Sequence, residues 1–192
     1  MSERIRIFVG TPANSEDLEC QAVYAWSLKK HHPQDDVDIT WMMLSRDPNS
    51  FWYSNPQAKP KQGINTFGWA TPFSGMRFMI PAACDFKGKA IYCDSDQMWI
   101  ADVAELWNQP IPDGKVKLIH YTHIPTQPNH PHARKRLSSE NKSHWYNGTD
   151  EKHPMPEITE LFDRMLAEAI AAGQGPETFR VPVEFGDYGR GR

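Results

Sequence analysis

Residues 5 to 44 constrain the fold most tightly, because they read strand, helix, strand. Ile5-Arg6-Ile7-Phe8-Val9-Gly10 alternates and closes in glycine, the pattern of a strand that runs straight into the loop Thr11-Pro12-Ala13-Asn14. Asn14 or Ser15 is placed to cap the next segment, where Asp17 and Glu19 complement the positive end of a helix dipole. Leu18, Ala22, Ala25 and Trp26 recur at helical spacing until His31-His32-Pro33 forces a stop. Val37 to Leu44, rich in β-branched residues, Trp and Met, reads as a second strand. Such an opening predicts a βαβ unit and an α/β sheet flanked by helices.

A chain of 192 residues is long enough for a single domain (1–192) with a proper core. Its net charge of −3 gives no global attraction to nucleic acid or to an anionic membrane. No apolar run approaches the length of a membrane span, and Met1-Ser2-Glu3-Arg4-Ile5-Arg6 lacks a signal-peptide core. The expectation is a cytoplasmic protein that does not span a membrane and does not bind nucleic acid. Cys20, Cys84 and Cys93 are odd in number, widely spaced and set among apolar residues, and read as reduced core thiols.

Residues 45 to 70 show no period and predict a long loop with one short strand. Ser74 to Ala83 predicts a helix that Pro81 kinks or ends. Lys89 to Cys93 predicts a strand, Val103 to Trp107 a short helix, and Lys115 to Thr122 another strand. Together, residues 1–122 form the expected core of the domain. Residues 123–156, rich in Pro, His, Asn and Ser, predict a long irregular excursion, with Arg134-Lys135-Arg136 as a solvated basic run. Ile158, Leu161, Phe162, Met165, Leu166, Ala169 and Ile170 fit one face of an amphipathic helix over 157–173 that Gly173 terminates. Residues 181–192 read as a frayed tail.

Chemistry gathers at the ends of the expected strands. Asp94-Ser95-Asp96 follows the apolar run that ends at Cys93, and two carboxylates so placed suit a hard divalent cation that also binds substrate phosphates. The spacing alone is unspecific: Asp36-Val37-Asp38 repeats it ahead of a strand, where it reads as a solvated turn. Thr11 to Asn14 follow the first strand and His120 to Thr122 end a late one, so one crevice at the carboxyl edge of an open sheet would collect all three clusters. A histidine beside two carboxylates makes a mixed nitrogen and oxygen site suited to Mn²⁺. Arg77, on the helix ahead of the Asp strand, offers a planar fork of donors. Taken singly, Arg77 reads first as a surface charge and His120 first as a satisfied strand-end histidine. His120-x-x-His123 and His130-x-His132 lack a ligand frame for zinc.

Four stretches resemble GT-A glycosyltransferases of the family 8 type, the nucleotide-sugar-dependent retaining enzymes, and small bacterial relatives in particular. They are Arg6 to Gly10, Thr71 to Pro81 with its arginine, Ala90 to Trp107 with its Asp-x-Asp and Glu-Leu-Trp, and Lys117 to Thr122 with its histidine. The resemblance implies a GT-A-like open mixed sheet of reduced size and a metal-dependent enzyme using a UDP-sugar donor. It implies that Asp96, Asp94 and His120 ligate Mn²⁺ (or Mg²⁺), and that Arg77, Thr11, Ala13, Asp94 and Ser95 contact the donor. Gln127-Pro128 stands where the family often has Lys-Pro-Trp near the diphosphate, with Gln in place of Lys and Asn129 in place of Trp. It identifies no nucleophile or base.

One departure is large. Trp107 and His120 are 13 positions apart, where relatives carry many tens of residues of further sheet and acceptor site. The chain therefore reads as a nucleotide-sugar half without its acceptor segment, with an alternative as a noncatalytic nucleotide-sugar-binding module. The acceptor, a saccharide or other small hydroxylated molecule, is not specified. A sheet edge left uncovered by the short link predicts a homodimer.

Overall fold

The computed structural model describes residues 4–12, 16–55, 57–66, 73–108 and 124–180. The chain is mixed α/β with a small parallel sheet, and its contacts divide it into two compact units that alternate along the sequence. The first contains described residues 4–12, 36–55, 57–66 and 73–94, and the second 16–35, 95–108 and 124–180.

The first unit is built on a three-stranded sheet. β1 (Ile5–Gly10) lies between β2 (Val37–Met42) and β5 (Ile91–Asp94), and both pairings are parallel. Parallel neighbours need a crossover, and between β1 and β2 the chain passes through α1 (Leu18–His31), as the strand–helix–strand pattern requires. In β1 only Arg6 is not buried, the near-continuous burial of a strand paired on both sides. The Arg6 guanidinium donates from Nη2 to the carbonyls of Lys87 and Lys89, at 2.9 Å each. Phe8, Met42, Leu44 and Met76 form the core of this unit, with Trp52, Ile64, Phe73, Ile80 and Tyr92 packed against them.

Two local expectations change here. The long loop holds not one strand but a minimal antiparallel pair, β3 (Ser54–Asn55) with β4 (Gln62–Gly63). The segment from Ser74 to Ala83 is a 3₁₀ turn over Met76–Met79 followed by the short α2 (Ile80–Ala83). Pro81 sits in the first turn of α2, where its missing N–H leaves no bond unmade, so the change of helix type falls just ahead of it.

The second unit is helical. α1 and α5 (Pro156–Ala171) pack through Ala22, Val23, Phe162, Met165, Leu166 and Ala169; Val23 joins the face expected on α1, and Ile170, expected on the stripe of α5, is exposed. The short α3 (Val103–Trp107) is capped by Asp102, which accepts the Ala104 N–H at 2.8 Å and also meets His32 Nδ1 at 2.7 Å. The Ala104 bond first, and His32 next, hold the Asp102 carboxyl below its ordinary range.

Residues 123–156 are not wholly irregular: they contain α4 (His130–Ser139). Its buried face is His130, Ala133 and Leu137, a helical i, i+3, i+7 spacing in which histidine occupies a core position and hides the period. The basic run lies on this helix instead of in a solvated loop. Arg136 donates to Glu19 from Nε at 2.6 Å and from Nη2 at 3.1 Å, and Nη2 also reaches the Glu16 carbonyl at 2.9 Å. Arg134 donates to the carbonyls of Tyr146 and Gly148. The expected strand Lys115 to Thr122, the caps Asn14 and Ser15, and the tail 181–192 lie outside the described residues. All three cysteines are reduced thiols, Cys20 and Cys93 buried and Cys84 half-buried. Among the described residues no helix is long and apolar enough to cross a membrane.

The Glu19 side chain is only 3% exposed, so removing its partner strands a buried charge. Arg136→Met is expected to cost about 3–5 kcal/mol in urea denaturation, and the double variant Glu19→Leu/Arg136→Met to recover most of that loss.

Candidate functional site at the carboxyl edge of the parallel sheet

The order β2-β1-β5 makes the chain leave β1 towards one neighbour and return on its other side, a topological switch point. The carboxyl ends of β1 and β5 then lie side by side, and Gly10 pairs in register with Asp94. A Cβ at Gly10 would stand 2.9 Å from Phe73 Cδ2, 3.0 Å from the Tyr92 hydroxyl and 3.3 Å from Asp94 Oδ1. The glycine is there because the neighbouring side chains occupy that space. Thr11, 1% exposed, follows directly, and its N–H donates to the Met42 carbonyl at 3.3 Å. Its buried hydroxyl finds no hydrogen-bond partner among the described residues.

Tyr92 and Asp94 are two residues apart on a strand and share a face. The Tyr92 hydroxyl donates to Asp94 Oδ1. The Arg77 guanidinium lies 5.0 Å from the Tyr92 ring centroid, within cation–π range, while its Nε donates to the Ser74 carbonyl at 2.8 Å. Arg77 and Asp94, singled out separately from sequence, are thus linked through one tyrosine that sequence reasoning missed. The available signal was its position two before the aspartate.

In the second unit, Ser95 is buried and Asp96 half-buried. Asp96 Oδ2 accepts from Gln127 Nε2 at 2.9 Å, so the structure brings together two expected site residues that lie 31 positions apart. Burial first, and then the carboxylates of Asp17, Asp96 and Glu19, raise the Cys20 thiol well above its ordinary value. It stays protonated and is no nucleophile.

Ala13 and His120 lie outside the described residues. Among the described residues no group of three or more His, Cys, Asp or Glu is arranged to hold a metal ion. The described histidines of residues 124–156 are distributed: His130 is buried, His132 meets Asp163 at 2.7 Å, His144 meets Asp17 at 3.1 Å and His153 bonds the Met155 backbone. The chain matches no family model, no curated protein and no solved structure.

The crowding at Gly10 makes a simple test of this edge. Gly10→Ala is expected to destabilise by about 1–3 kcal/mol through overpacking, whereas Tyr92→Phe, which keeps the ring, costs under about 1.5 kcal/mol. Urea denaturation of the two variants checks the order.

Proposed function

We propose that the chain is a metal-dependent glycosyltransferase of GT-A type that takes a UDP-sugar donor at the carboxyl edge of its parallel sheet. The single observation that supports this reading most is the register of Gly10 with Asp94 at the β1/β5 switch point, with Arg77 joined to that carboxylate through Tyr92. Close backbone, a carboxylate and a fixed guanidinium at one edge are what a nucleotide diphosphate and its sugar require.

Thr11 and Ala13 border the base, Ser95 and Gln127 face the donor, and Arg77 donates to hydroxyls of the sugar or ribose. Asp94, Asp96 and His120 are the proposed ligands of Mn²⁺ or Mg²⁺. This donor set has the hard oxygens and single imidazole that suit Mn²⁺, and Asp94 already has the outer hydrogen-bond partner that orients a ligating carboxylate. When bound, the cation supplies Lewis-acid neutralisation of the diphosphate and of the departing nucleotide. Retention of configuration rests on the family likeness alone.

A second reading is a noncatalytic nucleotide-sugar-binding module, favoured by the link of 13 positions from Trp107 to His120, which leaves little room for an acceptor site. In either case the chain is proposed to be cytoplasmic and a homodimer whose second copy covers the sheet edge.

Calorimetry is expected to show UDP and Mn²⁺ each strengthening the other, because the cation offsets charge between diphosphate and carboxylates. Equal UDP affinity with and without Mn²⁺ removes the metal bridge from the proposal. Asp96→Ala is expected to abolish metal-dependent UDP binding with the fold intact, and His120→Ala to weaken Mn²⁺ binding less. Product analysis with UDP-glucose or UDP-galactose then separates the enzyme, which transfers or hydrolyses the sugar, from the module, which returns the donor unchanged.

A further inference from the structure

Asp17 is the N-cap residue of α1, yet its carboxylate makes no capping bond there. Oδ1 instead accepts from Asn129 Nδ2 and from His144 Nε2, at 3.1 Å each, and Oδ2 accepts from Trp145 Nε1 at 3.0 Å. His144 Nδ1 lies 3.3 Å from the Tyr146 nitrogen and 3.4 Å from the Tyr146 carbonyl oxygen, and a ring with its hydrogen on Nε2 donates to Asp17 and accepts the Tyr146 N–H. One carboxylate thus fastens residues 129–150 to the first turn of α1.

Inside this closure His130 is fully buried. Its ring centroid lies 5.0 Å from that of His144, 4.9 Å from Tyr146 and 5.8 Å, edge-on, from Trp145. Neither ring nitrogen makes a hydrogen bond to any described residue. Asp150 Oδ1 is 3.5 Å from Nδ1, but the same oxygen is 3.2 Å from Arg134 Nη2, and Arg134 lies over the Tyr146 ring at 5.4 Å. The groups facing the imidazole are therefore Asp17 from the start of α1, Arg134 from its own helix, and His144, Tyr146 and Asp150 from the loop that follows. A phenylalanine or leucine would fill this space without the cost of a buried polar ring lacking partners.

We propose that residues 129–150 are an acid-released clasp on the start of α1, with His130 as the titrating lock. Above the pH at which an exposed histidine titrates, the neutral ring packs as an aromatic core residue and the clasp is closed. Burial first and His144 next depress the His130 pKa, outweighing the opposing pull of Asp17 and Asp150. The open form therefore binds a proton more readily than the closed form. The stability that His130 contributes is complete above about pH 6.5, and is lost as pH falls from there through the lower value of the closed state. Within that window the opening constant rises by up to about tenfold per pH unit.

The indole N–H of Trp145, bonded to Asp17, reports the clasp. In ¹⁵N-labelled full-length protein, with that resonance assigned through Trp145→Phe, acidification from about pH 7.5 to about pH 5 is expected to move it to the position of a solvent-exposed indole. In His130→Phe and His130→Gln, which do not titrate in this range, it is expected to stay in place. A variant that responds like the wild type overturns the proposal. So does a wild-type titration, followed on ¹³C-labelled histidine rings, in which the His130 midpoint differs from that of the indole shift; this measurement needs no variant to fold.

Discussion

The pairing of β1 on both sides is the constraint on which the first unit rests. A strand hydrogen-bonded to β2 and β5 removes its backbone groups from water, and every residue of β1 except Arg6 is buried. The same pairing fixes where chemistry is available. A slip of one residue between β1 and β5 would turn Tyr92 and Asp94 to the opposite face and uncouple them from Arg77. The geometry of the edge is thus a consequence of strand register, not of the loops that surround it.

The second unit depends on charges that it buries in pairs. Glu19 is held by Arg136, and Asp17 by three donors. Each carboxylate would be costly alone, and each is met by a group from a distant part of the chain. α4 is therefore held largely by its polar residues. Its buried apolar side chains are only Ala133 and Leu137, with His130 completing the face.

These two kinds of packing suit different roles. At the sheet edge, Tyr92 links the half-buried Asp94 to the exposed Arg77. Around α1 the polar groups are turned inward, and the buried Cys20 thiol and His130 ring are kept neutral by their surroundings. The first arrangement leaves its polar groups near solvent, whereas the second keeps them inside.

Periodicity in the sequence determined the elements whose apolar residues carry the signal by themselves. Ile5 to Gly10, Leu18 to His31, Val103 to Trp107 and the stripe from Leu161 to Ala169 all fold as their spacing requires, because burying an apolar face is a local instruction. It also placed Asp94 at a strand end and Arg77 just ahead of that strand. Only tertiary structure decided that Gly10 lies against Asp94, that Arg77 lies over the Tyr92 ring, and that Asp96 meets Gln127, since each contact joins residues the sequence spacing does not relate. α4 escaped a reading by hydropathy for the same reason. His130 becomes a core residue only when His144, Trp145 and Tyr146 pack around it, and a basic run becomes a set of internal braces only when Glu19 arrives from elsewhere in the chain.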